Sequence, residues 1–406
     1  MQYSAGLGVS LQEKSRHFFG TAVLVAEGPA YNGSVVEALL RELVQTDSTS
    51  TAGERACAEV LGSYLAREGI EVSVETWGGN RANVEARLAG DGSKPAVMFA
   101  CHLDVVPAGR ATWTVPPFAA VKKNGRIYGR GAADMKGGIA AVASAMAQLK
   151  RSGVKLRGDV ILAAVAGEET DSCGAKRYVQ RYRGRGDVPA GVVLCEPTDF
   201  EVVTAHRGLL WLQVHTRGKT AHGSTPQLGV NAIMSMATLL NELKDYRIES
   251  RPHELLGECT LSVNTIEGGE AINVVPDGCS IALDIRTVPG QQSEQIIGDL
   301  RVMLARLAER QRDFRGEVSV IREVGPLETD RNSEFVKAVC SCVGKNETRA
   351  VGFTTDGPHF AQLGAPVVAF GCGKPELCHK ADEYIELADV EQAARSYGAV
   401  ILRLLS

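Results

Sequence analysis

Apolar and polar residues follow two rhythms along this chain. From Ser34 to Gly69, apolar positions recur at spacings of three and four on both sides of a Ser/Thr stretch, which predicts two amphipathic helices flanking a loop. Short apolar runs and helical patterns then alternate. "AVMFACHLD" predicts a strand, "MKGGIAAVASAMAQLKRSG" a helix, "DVILAAVAG" a strand, "CGAKRYVQRY" a helix and "GVVLCEP" another strand. That alternation predicts a parallel, doubly wound sheet.

Near His206 the rhythm changes. "GLLWLQVHTRG", "CTLSVNTIEGG" and "GCSIALDIRTVP" alternate residue by residue, as half-exposed antiparallel strands do, with helical patterns over 229–245 and 291–311. Past Val324 the strand and helix rhythm returns with "APVVAFGCG" and a last helix, "LADVEQAARSYGAVILRLL". The expected fold class is α/β: a doubly wound, mixed, mostly parallel sheet, interrupted by an inserted α+β unit made of an antiparallel sheet plus two helices. The expected divisions are an N-terminal extension over 1–33, a discontinuous first domain over 34–206 and 322–406, and the inserted domain over 207–321.

With 406 residues, 44% of them apolar, the chain can bury a large core. A net charge of -4 carries no basic excess, so neither nucleic acid nor a membrane surface is expected as a partner; a small polar substrate is. No run approaches ~18 apolar residues, and the start lacks a basic stretch followed by an apolar one, which predicts a cytoplasmic protein. The ten cysteines lack C-x-x-C spacing, and Cys101 and Cys195 lie in apolar runs, the pattern of reduced thiols rather than a disulfide framework.

In an open parallel sheet, ligands collect at the carboxyl ends of the strands. "AVMFAC" ends at His102, "ILAAVAG" at Glu168 and Glu169, and "GVVLC" at Glu196, while "VVAFGCG" leads through a short loop to His379. Asp134 stands at the start of the helix after "YGRGAA". Singly, each acid is as well explained as a solvated group or a helix cap. Together, carboxylates and imidazoles suit zinc, and two zinc ions about 3.5–4 Å apart need one bridging carboxylate plus separate terminal ligands. Neighbours leaving a strand project to different sides. One of Glu168 and Glu169 can therefore hold a metal while the other faces water as general base. Asp104, two residues past His102, is expected to accept the ring N–H if the strand continues, fixing the tautomer.

Rival motifs fail. "RGKT" at 217–220 has Gln213 where a phosphate-binding P-loop needs glycine, "GRGAAD" lacks the third glycine of a dinucleotide fingerprint, and no G-x-S-x-G elbow is present. A binding or scaffold protein on this fold would have lost a ligand or the base, and none is missing. His17, His215 and His253 read as surface or structural residues, Cys378 as structural, and His206 and His359 adjoin informative segments.

The segments "HLDVVPAG", "WTVPPFAAVKKNGRIYGRGAADMKGG", "AGEETDSCGAK", "CEPTD", "GKTAHGSTPQLGVNAI", "EGGEAINVVPD", "DIRTVPG" and "CHKADEYI", in this order, resemble the acetylornithine deacetylase / succinyl-diaminopimelate desuccinylase family. That family stands with aminoacylases and glutamate carboxypeptidases among the co-catalytic zinc peptidases. The resemblance runs from about residue 34 to the C-terminus. It departs at Cys195, where relatives often carry Gly, and near Thr46, where an Asn-Pro-Pro element is lacking.

The resemblance implies two zinc ions per subunit, with His102 and Glu196 on one, Glu169 and His379 on the other, and Asp134 bridging; cobalt or manganese also suits such ligands. It implies that Asp104 orients His102 and that Glu168 takes the proton from water and passes it to the leaving amine. The inserted domain would be a lid that also joins a homodimer. Its His222 would reach a site, often the partner's, and stabilise the oxyanion. Asn273 and Arg286 would bind the substrate α-carboxylate, and Thr355 and Gly357 in "GFTTDGPHF" would line the pocket. The implied activity is a metal-dependent amidohydrolase removing an acetyl, succinyl or similar group from an N-acyl amino acid, with a dipeptidase or carboxypeptidase as the alternative.

Overall fold

A computed structural model of the protein describes residues 33–406. Residues 1–32 of the expected N-terminal extension, with His17, lie outside the described residues. The two leading helices form as the apolar spacing predicts: α1 (Gly33–Gln45) buries Leu39, Leu40 and Leu43, and α2 (Arg55–Arg67) buries Leu61 and Leu65. Two strands follow that the pattern did not announce, β1 (Glu71–Trp77) and β2 (Arg81–Leu88). β1 is an edge strand whose side chains are mostly exposed, so nothing imposes an apolar face on it.

Next come β3 (Val97–His102), the hairpin β4 (Val121–Lys123) and β5 (Arg126–Tyr128), then α3 (Gly137–Ser152), β6 (Val160–Val165), α4 (Cys173–Arg183) and β7 (Gly191–Leu194). The hairpin was also unannounced. Its signal was Asn124-Gly125, both at positive φ (52° and 77°), as a two-residue hairpin turn demands. β3, β6 and β7 are buried along their whole length, which is why they read as unbroken apolar runs.

The chain then runs through β8 (Val203–His206), β9 (Gly208–Arg217), α5 (Ala232–Asp245), β10 (Thr260–Gly268), β11 (Gly278–Thr287), α6 (Ser293–Arg310) and β12 (Gly316–Val324). It closes with β13 (Leu327–Glu328), α7 (Glu334–Val343), β14 (Arg349–Val351), α8 (Gly357–Ala361), β15 (Val367–Ala369), β16 (Tyr384–Glu386) and α9 (Leu387–Leu405).

The largest sheet has the order β1-β2-β6-β3-β7-β15-β8-β13, with β14 pairing β8. Its centre, β6-β3-β7-β15, is parallel, and antiparallel pairs flank it at β2/β6 and β15/β8. The fold is thus the mixed α/β sheet expected. Helices cover both faces: α1, α2, α3, α7 and α9 pack one core around Phe99, Ile139 and Tyr397, while α4 and α8 pack the other around Tyr178 and Phe360. β6 and β7 lie on opposite sides of β3, so the crossovers diverge there and open a crevice at the carboxyl ends.

A second, wholly antiparallel sheet has the order β10-β11-β9-β12. One face of β9 and β11 packs on α5 and α6 through Leu212, Leu283, Leu239 and Leu300. β12 carries this sheet to Val324 rather than ending it at 321. A small third sheet joins β16, β5 and β4. No helix among the described residues is long and apolar enough to cross a membrane.

The start of α3 fixes how closely sheet and helix approach. A Cβ added at Gly138 would be driven into the carbonyl oxygen of Cys195, the residue before Glu196. Backbone cannot swing aside as a side chain can. Gly138→Ala is therefore expected to cost about 1–3 kcal/mol, read as a lower urea midpoint at unchanged slope. A midpoint equal to the parent's would show that the helix can shift freely here.

Candidate metal centre

Each expected ligand leaves a different element at the same end of the large sheet. β3 ends at His102, the turn after β6 carries Glu168 and Glu169, the segment after β7 carries Glu196, and the loop after β15 carries His379. Asp134 lies between β5 and α3, beside a cis peptide bond to Met135. The fold brings all of them together. His102 Nε2 lies 3.0 Å from Asp134 Oδ1, while His379 Nε2 lies 3.4 Å from Asp134 Oδ2 and 2.9 Å from Glu169 Oε1.

Donor atoms of His102, Asp134 and Glu196 lie within 4.8 Å of one another, and so do those of Asp134, Glu169 and His379. One carboxylate thus offers an oxygen to each group, which is what two neighbouring cations sharing a bridge require. His102, Glu168 and Glu169 also fall within that spacing. That third grouping omits Asp134 and His379, so it makes no use of the shared carboxylate; it takes His102 from the first group and Glu169 from the second and adds only Glu168.

Burial acts first on these acids. It pushes Glu168 well above the ordinary carboxylate range, with the charge of Glu169 adding to it, and it raises Glu169 and lifts Glu196 to about 8. Burial presses Asp134 the same way, but hydrogen bonds from both imidazoles outweigh it and hold this carboxyl below its usual range. Bonds to Asp134 and Glu169 lift His379 to about 10. His102 is likewise raised by Asp134 despite its burial. Such a cluster attracts positive charge, and its mixed oxygen and nitrogen donors fit a divalent cation. Cys378 borders the same cleft, but no metal-spaced group among the described residues includes it.

Asp104 does not act as expected. β3 stops at His102, so Asp104 leaves the strand direction, and the His102 Nδ1–H donates to its main-chain carbonyl at 2.9 Å while the nearest carboxylate oxygen stands 3.7 Å away. The carboxylate instead accepts the main-chain N–H groups of Gly167 (2.8 Å), Glu168 (3.1 Å) and Glu169 (3.0 Å). One residue therefore orients both halves of the cluster, His102 through its carbonyl and the Glu168–Glu169 turn through its side chain.

The "GFTTDGPHF" loop meets the cleft through Phe353 and Thr354, not through Thr355 and Gly357. Thr355 turns inward, where its hydroxyl donates to His206 Nε2 at 2.9 Å and accepts the Gly357 N–H at 3.0 Å. His206 Nδ1–H in turn donates to the Arg207 carbonyl at 2.8 Å. His222, Asn273 and Arg286 are not gathered with the carboxylates either. His222 and Asn273 are exposed neighbours at one corner of the second sheet, and Arg286 is held by Asp284 at 2.8 and 3.1 Å. Among the described residues no hydrogen bond or ion pair links these three to the cluster.

Glu383, within "CHKADEYI", escaped the sequence reading. It accepts the N–H groups of Ala133 (2.9 Å) and Asp134 (3.1 Å) and pairs with Arg130 at 2.6 Å, both side chains being almost wholly buried. Removing its carboxylate strands a buried guanidinium. Glu383→Ala is expected to cost about 3–5 kcal/mol and to weaken metal binding by roughly 10–100-fold, measured by denaturant unfolding and calorimetric metal titration. Parental values in both would remove Glu383 from the support of Asp134.

Burial depresses His206 to about 4. The unfolded chain protonates near 6.5, so this neutral histidine contributes stability above that pH and loses it as pH falls toward 4, by about 3 kcal/mol. His206→Gln should flatten the fall in unfolding free energy over this window relative to the parent, measured by urea unfolding at stepped pH. An unchanged slope would mean that His206 protonates freely in the fold.

The sequence profile described as "Peptidase family M20/M25/M40" matches residues 98–403. An acetylornithine deacetylase from Myxococcus xanthus is 29% identical over 365 residues, spanning 87% of this chain and 93% of that one. A probable succinyl-diaminopimelate desuccinylase from Staphylococcus aureus strain N315 is 30% identical over 342 residues, spanning 76% of this chain and 82% of that one. The aminopeptidase PepT from Bacillus cereus ATCC 10987 shares the fold, with a TM-score of 0.74 and 23% identity over 92% of this chain and 99% of its own. The profile match takes in every residue of the cluster, from His102 to His379. The chain is a hydrolase of amide bonds and belongs to peptidase family M20/M25/M40.

Proposed function

We propose that the protein is a di-metal deacylase that hydrolyses the amide of an N-acyl amino acid, releasing the free amine and a carboxylic acid. The observation that carries this reading is the division of Asp134, whose two oxygens face His102 and His379 separately. In this reading His102 and Glu196 would hold one cation, Glu169 and His379 the other, and Asp134 would serve both. Zinc fits these donors, and cobalt and manganese fit them too. Two divalent cations there would supply Lewis acidity toward the scissile carbonyl and lower the pKa of water.

The protein's own groups then divide the remaining work. Glu168 accepts the proton of the attacking water on its carboxylate and delivers it to the leaving nitrogen; burial and Glu169 raise its proton affinity in the direction a general base needs. The Ser224 N–H points at His222 Nδ1 (3.2 Å), which puts the ring proton on Nε2, free to donate to the developing oxyanion. Arg286 and Asn273 bind the α-carboxylate, Arg286 exchanging Asp284 for substrate. Cleft specificity for the acyl group falls to Phe353 and Thr354.

His222 must reach the cluster by closure of the second sheet's domain, here taken as 207–324, or from a partner subunit. A homodimer through this domain is supported by β10, an edge strand with Val263 and Ile266 exposed. A cytoplasmic location is supported by the ten cysteines, all free.

The test is product detection by mass spectrometry on N-acetyl and N-succinyl amino acids and on dipeptides, with metal-loaded, chelated and Glu168→Ala protein. Glu168→Ala should keep its metal and fold yet lose at least about 10²–10⁴ in turnover. Near-parental turnover would overturn the assigned base. Release from dipeptides alone would replace the deacylase reading with a dipeptidase. Reassociating Glu168→Ala with His222→Ala should restore about a quarter of parental activity if His222 serves the partner's site, and none if it serves its own.

A further inference from the structure

The turn that carries Glu168 and Glu169 begins at Gly167, whose φ of 80° lies in the left-handed region, and its peptide groups belong to no helix or strand ladder. Those groups need partners from elsewhere. Asp104 supplies acceptors for the N–H groups. The Gly167 carbonyl accepts N–H groups from within the turn, and those of Glu168 and Glu169 are met from the other sheet. β12 carries a bulge between Val320 and Arg322, and a bulge re-aims the side chain beside it. Arg322 stands opposite Trp211 of β9 in the register, with its guanidinium over the indole at 5.8 Å. From that stacked position Nη2 donates to the Glu168 carbonyl, and Nη1 lies 3.5 Å from the Glu169 carbonyl.

The carbonyl of Glu168 and the N–H of Glu169 are one peptide group. Its oxygen is held by a cation on the second sheet and its hydrogen by an anion just past the end of β3, so the plane joining the two acids is pinned at both ends. Rotation of that plane would swing both carboxylates at once. We propose that Arg322 is a positioning residue for the reaction, fixing the aim of Glu168 and Glu169 and making turnover depend on how the second sheet's domain is seated. This rests on Glu168 being the base and Glu169 a ligand.

Two variants separate this role from others. Arg322→Met keeps an apolar stem on Trp211 without the donors, and Arg322→Lys keeps the charge and one donor. In Arg322→Met, amide hydrogen exchange over 166–172 should quicken by at least about tenfold, with kcat lowered roughly 10–100-fold, KM within about threefold of the parent and metal stoichiometry unchanged. Arg322→Lys should recover part of both effects, and it alone is read if Arg322→Met fails to fold. Exchange as slow as the parent's would overturn the proposal, and so would a raised KM at unchanged kcat, which would make Arg322 a substrate contact. Exchange is measured without substrate. Faster exchange in a protein that hydrolyses none of the tested amides would leave the clamp standing and remove the proposed function instead.

Discussion

Four carboxylates, Asp134, Glu168, Glu169 and Glu196, crowd within reach of two imidazoles in a largely buried crevice, and much of the surrounding structure answers that charge. Buried anions are costly unless paired or bound to a cation, and burial, with neighbouring carboxylates adding to it, drives three of these four upward in pKa. Asp134 escapes because two histidines converge on it. The same constraint explains why the groups just behind the cluster are bonded to main chain: Asp104 and Glu383 spend their carboxylates on peptide N–H groups that set where the cluster's own side chains point. Their worth lies in orientation.

The sheet makes this crowding possible. Parallel strands buried on both faces deliver their last residues to one edge, and the diverging crossovers beside β3 keep that edge open. Rigid strands place His102 and the Glu168–Glu169 turn, while looser segments supply Asp134 and His379. Asp134 is braced from behind through Glu383 and Arg130. The second sheet touches the Glu168–Glu169 turn through Arg322 and holds His222 and Asn273 apart on an exposed corner.

Errors in reading the sequence share a cause. A spacing of two places side chains on one face only while a strand continues, and β3 ends at His102, so Asp104 turns its carbonyl rather than its carboxylate to the ring. Thr355 and Gly357 sit in a segment that meets the cleft at Phe353 and Thr354, yet a loop gives no periodicity from which to tell which residue faces in; the bond to buried His206 decides it. β1 was missed because an edge strand with exposed side chains carries no apolar signature.

Sequence alone determined the α/β class, the inserted antiparallel unit and the identity of the clustered residues. It could do so because burial on both strand faces writes itself as apolar runs, and a ligand at the end of such a run stands out against it. Only the tertiary structure decided which acid faces which imidazole, that Asp104 caps a turn, and that Glu383 and Arg322 belong to the site at all. Those facts depend on contacts between residues 32 to 253 positions apart, from His102 with Asp134 (32) through Arg322 with Glu168 (154) to Arg130 with Glu383 (253). Local pattern holds no information about such partners, because the chain's closure brings them together and their spacing in sequence does not.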